Sequence, residues 1–196
     1  MGQFIGVGVI ALIIVFQQEI RKFLLLIGTS GFRSGTNLSS LLSRVKTRRS
    51  FSLGVDDLVE ACFSMGEHKT GAIIVIARKS KLGFIAQSGD RIDAELSKRL
   101  IESIFNKTSP LHDGALIIDG SKIVAARCVL PVTENPDLPA HFGLRHRAAI
   151  GMTEQSDALA IIVSEETGKV SYSKEGEMLV NVDAFELKEI LEKDLD

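Results

Sequence analysis

Residues 115–130, ALIIDGSKIVAARCVL, carry the clearest indication of the fold. Apolar segments at 115–118 and 122–130 flank Asp119-Gly120, a pair that suits the tight turn of a β-hairpin. The segment 71–78, GAIIVIAR, is an almost unbroken apolar run rich in β-branched residues. Such a run is typical of a strand that is buried on both faces of a sheet. The hairpin and this strand therefore predict a sheet at the centre of the molecule.

Two further strands are predicted nearer the carboxyl terminus. ALAIIVS at 158–164 is a second continuous apolar run, and KVSYS at 169–173 follows it after a turn at Thr167-Gly168. Apolar residues at helical spacing predict helices over the segments 55–65, 94–105 and 183–195, and a short helix is expected at 146–154. Asp93 is placed to cap the second of these helices. The alternation of helices and strands indicates a single mixed α/β domain over residues 55–196.

The composition excludes several classes of protein. The chain has 196 residues, of which 45% are hydrophobic, with 17 Gly and four Pro. These values argue against a collagenous or disordered chain. Cys62 and Cys128 are 66 positions apart with no His or Cys partner nearby, so neither a disulfide framework nor a zinc site is indicated. Two reduced thiols are expected.

The net charge of −2 conceals two oppositely charged regions. Residues 17–54 hold seven basic side chains and one acidic side chain, whereas residues 55–196 have a net charge of −8. An unbroken apolar run, FIGVGVIALIIVF, occupies residues 4–16 just before the basic region. Positive charge directly after an apolar helix is typical of the cytoplasmic flank of a membrane span. As a helix the run would measure about 20 Å, less than the roughly 30 Å of a hydrocarbon core.

We interpret residues 1–28 as the end of a last transmembrane helix, with earlier spans missing from a truncated chain. A buried helix of a globular fold is the alternative. Residues 29–54 are rich in Ser, Gly and basic side chains, which indicates a linker near the lipid headgroups. Nothing in this segment resembles a groove-reading helix, so a nucleic-acid partner is not expected. These features place the chain at the cell membrane, with the domain 55–196 on the cytoplasmic side.

Three short segments have the chemistry of a nucleotide site. They are SPLHDGA at 109–115, GLRHRAA at 143–149 and SEETG at 164–168. Carboxylates can hold a divalent metal, while arginines and the backbone N–H groups of a helix N-terminus bind phosphate oxygens. Each segment alone has a structural explanation, as a turn or as a group of solvated charges. Their combination is more informative than any one of them.

These segments resemble the signature motifs of the bacterial diadenylate cyclases, the DAC domain family. The resemblance extends from about residue 55 to 176 and includes GAIIVIAR at 71–78 and CVLPV at 128–132. VFQQEIRKFLLLIG at 15–28 resembles the region after the last transmembrane helix of the membrane-anchored type. The fold implied is a central mixed sheet flanked by helices. The activity implied is the condensation of two ATP into cyclic di-AMP and two pyrophosphates.

The resemblance also implies a reaction that needs two subunits. The 3′-hydroxyl of each ATP attacks the α-phosphate of the other, so a homodimer or higher homo-oligomer must bring two sites face to face. A divalent metal, Mn²⁺ or Mg²⁺, is the implied cofactor. Regulatory protein partners are compatible with the same resemblance, which does not identify them.

The resemblance assigns roles to residues at the matching positions. Asp113 should lie near the ribose 3′-hydroxyl and the metal, and Gly114 and Ala115 should present backbone to the nucleotide. The adenine pocket should be lined by Leu111 and Leu130. The triphosphate should be held by Gly143, Leu144, Arg145, His146 and Arg147, and contacted by Ser164 and Glu165. The catalytic residues implied are Asp113, Arg145, His146, Arg147 and Glu166. Glu166 is the expected second metal ligand, and His112 is either a third ligand or a hydrogen-bonded loop histidine.

One position departs from the family pattern. Leu144 precedes the RHR motif, where many members have Thr, so a hydroxyl contact to phosphate is absent and only a backbone contact is expected. Two other functions remain as alternatives. The first is a non-catalytic sensor of adenine nucleotides with the same fold, and the second is a membrane-tethered interaction module. The second alternative does not explain the three motifs.

Overall fold

The computed structural model describes residues 54–195 of the chain, together with Phe16. The helices of this part are α1 (Val55–Glu67), α2 (Gly83–Ala86), α3 (Lys98–Phe105), α4 (Leu144–Glu154) and α5 (Ala184–Leu195). The strands are β1 (Ala72–Ala77), β2 (Asp90–Glu95), β3 (Ala115–Asp119), β4 (Lys122–Cys128), β5 (Leu159–Val163), β6 (Val170–Lys174) and β7 (Glu177–Val180).

The strands form one mixed sheet in the order β2-β4-β3-β1-β5-β6-β7. Strands β1 and β3 pair in parallel, and the other neighbouring pairs of this sheet are antiparallel. The central strands β1 and β5 are buried at every position. Helices cover both faces of the sheet there, which is why these strands have apolar runs instead of alternating polar and apolar residues. The predicted mixed α/β fold is confirmed.

Two apolar clusters fill the space on either side of the sheet. The first cluster lies under α1, α3 and α5, and its large members include Leu58, Phe105 and Leu191. The second lies under α2 and α4 and includes Leu82 and Met152. Alternate residues of β1 enter opposite clusters, as the two-residue period of a strand requires. The clusters therefore fix which face of the sheet each helix covers.

Most predicted elements are present, with differences at their ends. The hairpin loop is Gly120-Ser121 instead of Asp119-Gly120, because Asp119 is paired with Lys122. Gly120 has a φ of +66°, which suits the first position of such a loop. Helix α4 begins at Leu144, two residues before the predicted start.

The predicted cap at Asp93 is wrong. Residues 90–95 form strand β2, and Ser97 is the residue before α3. The Asp93 carboxylate instead lies 3.0 Å from Arg91 and 3.4 Å from Lys122. Strand β2 is an edge strand with half-exposed residues, and its DRIDAE sequence lacks the apolar run that reveals a buried strand. The edge strand β7 was not predicted either; it has only four residues, and its apolar Leu179 and Val180 are exposed.

The interpretation of residues 1–28 as a membrane-proximal helix falls, apart from Phe16, outside the described part of the chain, and so does the linker at 29–54 apart from Gly54. Among the residues that the structure does describe, no helix has the length and apolar character needed to cross a bilayer.

Candidate active site

The three motifs meet at one end of the sheet because of the strand directions. Parallel strands β1 and β3 both start at this end, and antiparallel strands β4 and β5 both finish there. Segment 113–115 leads into β3, and segment 164–166 follows β5. Helix α4 packs against β5 and brings its first turn to the same end. Residues up to 53 positions apart are thereby brought together.

A cleft of about 560 Å³ opens at this end of the sheet. Most of the predicted site residues line it: Asp113, Gly114, Ala115, Leu130, Gly143, Leu144, Arg145, His146, Ser164, Glu165 and Glu166. Its remaining lining is apolar or small: Ile73, Cys128, Val129, Val132, Ala148, Ile162 and Val163. A flat, apolar wall beside charged groups is the surface that a nucleotide requires.

Three predicted residues do not line the cleft. Leu111 packs against the first apolar cluster, on the other face of the sheet from Leu130. The His112 Nδ1 atom donates a hydrogen bond to the Ser109 carbonyl oxygen at 2.6 Å, as a loop histidine would. The backbone N–H of Arg147 donates to the Gly143 carbonyl oxygen, and its own carbonyl oxygen accepts from Thr133.

The apolar wall of the cleft includes residues that the motifs did not assign. Val129 follows β4 and is exposed although it is apolar, and Val132 lies three residues further along the chain. Both belong to the CVLPV segment, and its resemblance to the family is the sequence feature that could have pointed to them. This resemblance does not assign a role to Val129 or Val132, because an apolar residue after a strand is equally compatible with core packing.

Arg145 forms an ion pair with Glu165 across the mouth of the cleft. The Arg145 Nη1 atom lies 2.8 Å from a Glu165 carboxylate oxygen. Gly71 lies directly beneath this pair, at the start of β1. A Cβ atom at position 71 would lie 2.8 Å from Arg145 Nη1 and 2.9 Å from Glu165 Cβ. The absence of a side chain at Gly71 therefore allows the guanidinium to lie against the strand.

His146 lies between an aromatic ring and ionisable side chains of both signs. Its ring stacks on Phe142, with ring centres 5.1 Å apart and planes inclined by 17°. Partial burial lowers the pKa of His146, the nearby His141 lowers it further, and Glu166 opposes the shift. The imidazole is therefore mainly neutral at neutral pH and can accept or donate a hydrogen bond in the cleft.

Asp113 is exposed at the entrance of β3, next to a constrained glycine. Gly114 has a φ of +144°, and a Cβ atom there would lie 2.6 Å from the carbonyl carbon of Arg127. Arg127 has an unusual positive φ of +55° and forms a 2.8 Å ion pair with Asp90. Pairing with Asp90 is the main cause of the raised pKa of Arg127, and the charge of Asp113 adds to it. The strand pairing thus sets Asp113 at a fixed place beside a cation.

The SEETG segment forms a tight loop after β5. The Ser164 Oγ atom accepts a hydrogen bond from the Thr167 backbone N–H at 3.2 Å, and the Gly168 N–H donates to the Ser164 carbonyl oxygen at 2.9 Å. Gly168 has a φ of +73°, which suits this turn. The Ser164 hydroxyl proton remains available as a donor toward the cleft.

The carboxylates of the cleft are of the right kind for a divalent metal. Asp113 and Glu166 both line the cleft and are exposed. Within residues 54–195, no three acidic, His or Cys side chains are grouped so as to hold a metal. Two carboxylates do suit Mg²⁺, which commonly completes its shell with waters and substrate phosphates.

Comparison with known proteins identifies the family. Residues 59–178 match the family described as DisA bacterial checkpoint controller nucleotide-binding, the DAC family. The chain is 39% identical to the cyclic di-AMP synthase CdaA of Bacillus subtilis, over 98% of this chain and 68% of that protein. It is 37% identical to a diadenylate cyclase of Listeria monocytogenes, over 96% of this chain and 66% of that protein. The chain thus spans about two thirds of the length of these relatives.

The fold agrees with a solved structure. The crystal structure of a double mutant of DacA from Staphylococcus aureus superposes with a TM-score of 0.70 at 35% identity. The match covers 72% of this chain and 94% of that one. With the family match over more than half of the chain, these findings lead to one conclusion: the chain belongs to the DAC family of diadenylate cyclases.

Proposed function

We propose that this chain condenses two ATP molecules into cyclic di-AMP and releases two pyrophosphates. The observation that supports this most is the meeting of Asp113, Arg145 and Glu166 in one cleft, from three separate motifs. These are a carboxylate, a phosphate-binding cation and a second carboxylate, and nucleotidyl transfer needs all three. The apolar wall beside them suits an adenine base.

The substrate would bind with its base on the apolar side of the cleft. Leu130 and Val129 offer contacts to the purine face. The triphosphate would lie toward the first turn of α4, where the N–H groups of Leu144 and Arg145 are directed out of the helix end. Leu144 supplies no hydroxyl there, so the backbone makes the contact.

Arg145 would exchange partners when ATP binds. Its ion pair with Glu165 is partly exposed, so the pair is weak and its separation costs little. A triphosphate offers several anionic oxygens and accepts paired hydrogen bonds from a guanidinium. We infer that Arg145 stabilises the negative charge that develops as pyrophosphate leaves. Arg147 could join it only by turning its side chain into the cleft.

Asp113 would act on the attacking 3′-hydroxyl. A carboxylate there can orient the hydroxyl and accept its proton. A divalent metal held by Asp113 and Glu166 would lower the pKa of that hydroxyl and make it a better nucleophile. The His146 imidazole can donate a hydrogen bond to a phosphate oxygen from a ring N–H.

The reaction requires two copies of the chain. The described residues of one copy form one cleft with these groups, whereas the product contains two nucleotides joined by two phosphodiester bonds. Two clefts that face each other would place each 3′-hydroxyl opposite the α-phosphate of the other nucleotide. We therefore propose a homodimer or higher homo-oligomer as the active form. The apolar run at 4–16 and the basic region after it support attachment to the membrane, with the domain on the cytoplasmic side.

The test is to incubate the chain with ATP and either Mn²⁺ or Mg²⁺ and identify the products by mass. We expect cyclic di-AMP and pyrophosphate with at least one metal. Asp113→Asn should lower the rate by about a hundredfold or more, because the general base and one metal ligand are lost. Asp137→Asn is the control, since Asp137 is exposed and lies outside the cleft lining.

Unchanged ATP with both metals, at a concentration where the chain is dimeric, would contradict the proposal. Binding of ATP without turnover would then favour the sensor function instead. Equilibrium dialysis with radiolabelled ATP separates these outcomes.

A further inference from the structure

The end of the sheet opposite the cleft has an exposed feature that the cyclase reaction does not use. Residues 78–84, RKSKLGF, follow the carboxyl end of β1 and lead into α2. We call them the basic loop. Lys79 and Lys81 are exposed, and Phe84 is 84% exposed, more than any other large apolar residue of the described part.

The basic loop has a fixed backbone. The carboxylate of Asp157 accepts hydrogen bonds from the backbone N–H groups of Lys79 and Ser80, at 3.0 and 3.1 Å. Because Asp157 is used in this way, it holds the loop without pairing with a lysine side chain. Neither Lys79 nor Lys81 forms an ion pair with any carboxylate of residues 54–195. Within this part of the chain, the loop therefore displays two unpaired cations on a fixed backbone.

Phe84 faces outward because its neighbours face inward. Leu82 belongs to the second apolar cluster, and Ile85 packs against that cluster. The single turn of α2 then leaves Phe84 on the opposite side, in solvent. An aromatic ring beside free lysines combines the two interactions that hold a protein at an anionic bilayer, which are apolar insertion and attraction to headgroups.

The charge of the remaining domain makes this loop distinctive. Residues 55–196 have a net charge of −8, and without the three basic residues of the loop the charge is −11, so the rest of the domain is on balance repelled by an anionic bilayer. The basic loop has three basic residues, Arg78, Lys79 and Lys81, and no acidic residue. Near an anionic bilayer, electrostatic attraction would therefore orient the domain with this loop facing the membrane surface.

We propose that the basic loop docks on anionic lipid headgroups, with Phe84 inserted at the level of the headgroups. The cleft lies at the amino end of β1 and the loop at its carboxyl end. Docking in this way directs the cleft away from the bilayer, where ATP and a second copy can reach it. This proposal does not depend on cyclase activity, and it concerns the orientation of the domain instead of its chemistry.

The chain contains no tryptophan, which allows a direct test. Phe84→Trp places a single tryptophan in the basic loop, whose fluorescence can be excited separately from that of Tyr172. Phe185→Trp is the matched control, because Phe185 is 72% exposed but lies between the acidic residues Asp183 and Glu186. Each variant of the 196-residue chain is mixed with vesicles of phosphatidylcholine, with or without phosphatidylglycerol. We expect a blue shift of emission for Phe84→Trp with phosphatidylglycerol and none for Phe185→Trp, and high salt should reduce the shift.

The contribution of charge is tested in the Phe84→Trp background. Replacing Lys79 and Lys81 together by Gln should raise the lipid concentration at half-maximal shift by about tenfold or more, because each basic residue near such a surface contributes separately. Both lysines are exposed, and formation of cyclic di-AMP in detergent should be unaffected by their replacement.

Three results would overturn the proposal. The first is no shift for Phe84→Trp with anionic vesicles. The second is an equal shift for Phe185→Trp or for neutral vesicles, which would indicate that the amino-terminal segment alone brings the domain to the lipid. The third is a shift that appears without lipid as the protein concentration rises, which would assign Phe84 to a protein contact.

Discussion

At the scale of single residues, two glycines at the cleft differ in what they tolerate. Gly114 has a backbone conformation that residues with side chains rarely adopt, and an added Cβ would meet Arg127 backbone at 2.6 to 2.7 Å. Gly143 has ordinary extended backbone, and an added Cβ would meet nothing within 4 Å. The sequence alone does not show which of the two glycines tolerates a side chain, because both lie in a signature motif.

We expect Gly114→Ala to destabilise the fold by about 1–3 kcal/mol, since it forces a strained φ and a clash between paired strands. Gly143→Ala should leave the free energy of unfolding nearly unchanged. Urea unfolding of the two variants and the parent chain measures both values. Equal stabilities for the two variants would show that β4 moves to accommodate the methyl group, and would contradict the rigid placement of Asp113.

At the scale of elements, the carboxyl-terminal helix α5 is attached to the sheet by a cluster of polar side chains. Asp194 accepts hydrogen bonds from the Tyr172 hydroxyl and from Lys174 Nζ, both at 2.7 Å. Burial raises the pKa of Asp194, but these bonds and the charges of Lys174 and Arg78 outweigh it, so the pKa is lowered overall. The cluster therefore stabilises the charged carboxylate.

A second Asp–Lys pair, between Lys188 of α5 and Asp56 of α1, allows the effect of burial on such a pair to be compared. Lys188 and Asp56 also lie 2.7 Å apart, but the Asp56 side chain is 73% exposed, against 13% for Asp194. Asp194→Asn should destabilise the fold by about 1.5–3 kcal/mol, because a hydrogen-bonded charge is lost from a partly buried site. Asp56→Asn should have little effect, because exposed pairs are screened by water.

The sign of the pH dependence follows from the lowered pKa of Asp194. The contribution of this residue is fully present above its unfolded-state pKa of about 4 and is lost as the pH falls through the lower folded-state value. Thermal unfolding at neutral and at acidic pH should therefore show the Asp194→Asn difference shrinking in acid. A difference that is equal at both pH values would assign the effect to packing instead.

At the scale of the whole molecule, the proposed reaction depends on encounters between copies. If two clefts must face each other, the initial rate should rise faster than linearly with protein concentration until the dimer saturates. Dilution series with product quantified by mass spectrometry measure this dependence. A rate that stays strictly proportional to protein at high dilution would contradict transient pairing.

Much of the fold was predictable from local pattern. The buried strands β1 and β5 appear as apolar runs, because helices cover both faces of the sheet there. The edge strands β2 and β7 were not predicted: β2 is half exposed and its polar residues resemble a loop, and β7 has only four residues. Asp93 shows the consequence, since a good capping residue lies at an irregularity of β2, between the paired residues Arg91 and Ala94.

For the candidate site too, part could be predicted from the sequence and part depends on the folded structure. The three short motifs predict the residues of the nucleotide site before any folding is considered, because residue type and spacing are local properties. Three facts depend on the folded chain: Asp113, Arg145 and Glu166 share a cleft, Arg145 already pairs with Glu165 above Gly71, and Leu111 lies on the other face of the sheet. Strand direction is the reason that these facts could not be predicted from the motifs alone. Two distant motifs meet when their strands begin or end at the same edge of the sheet, and hydrogen bonding between strands sets that arrangement.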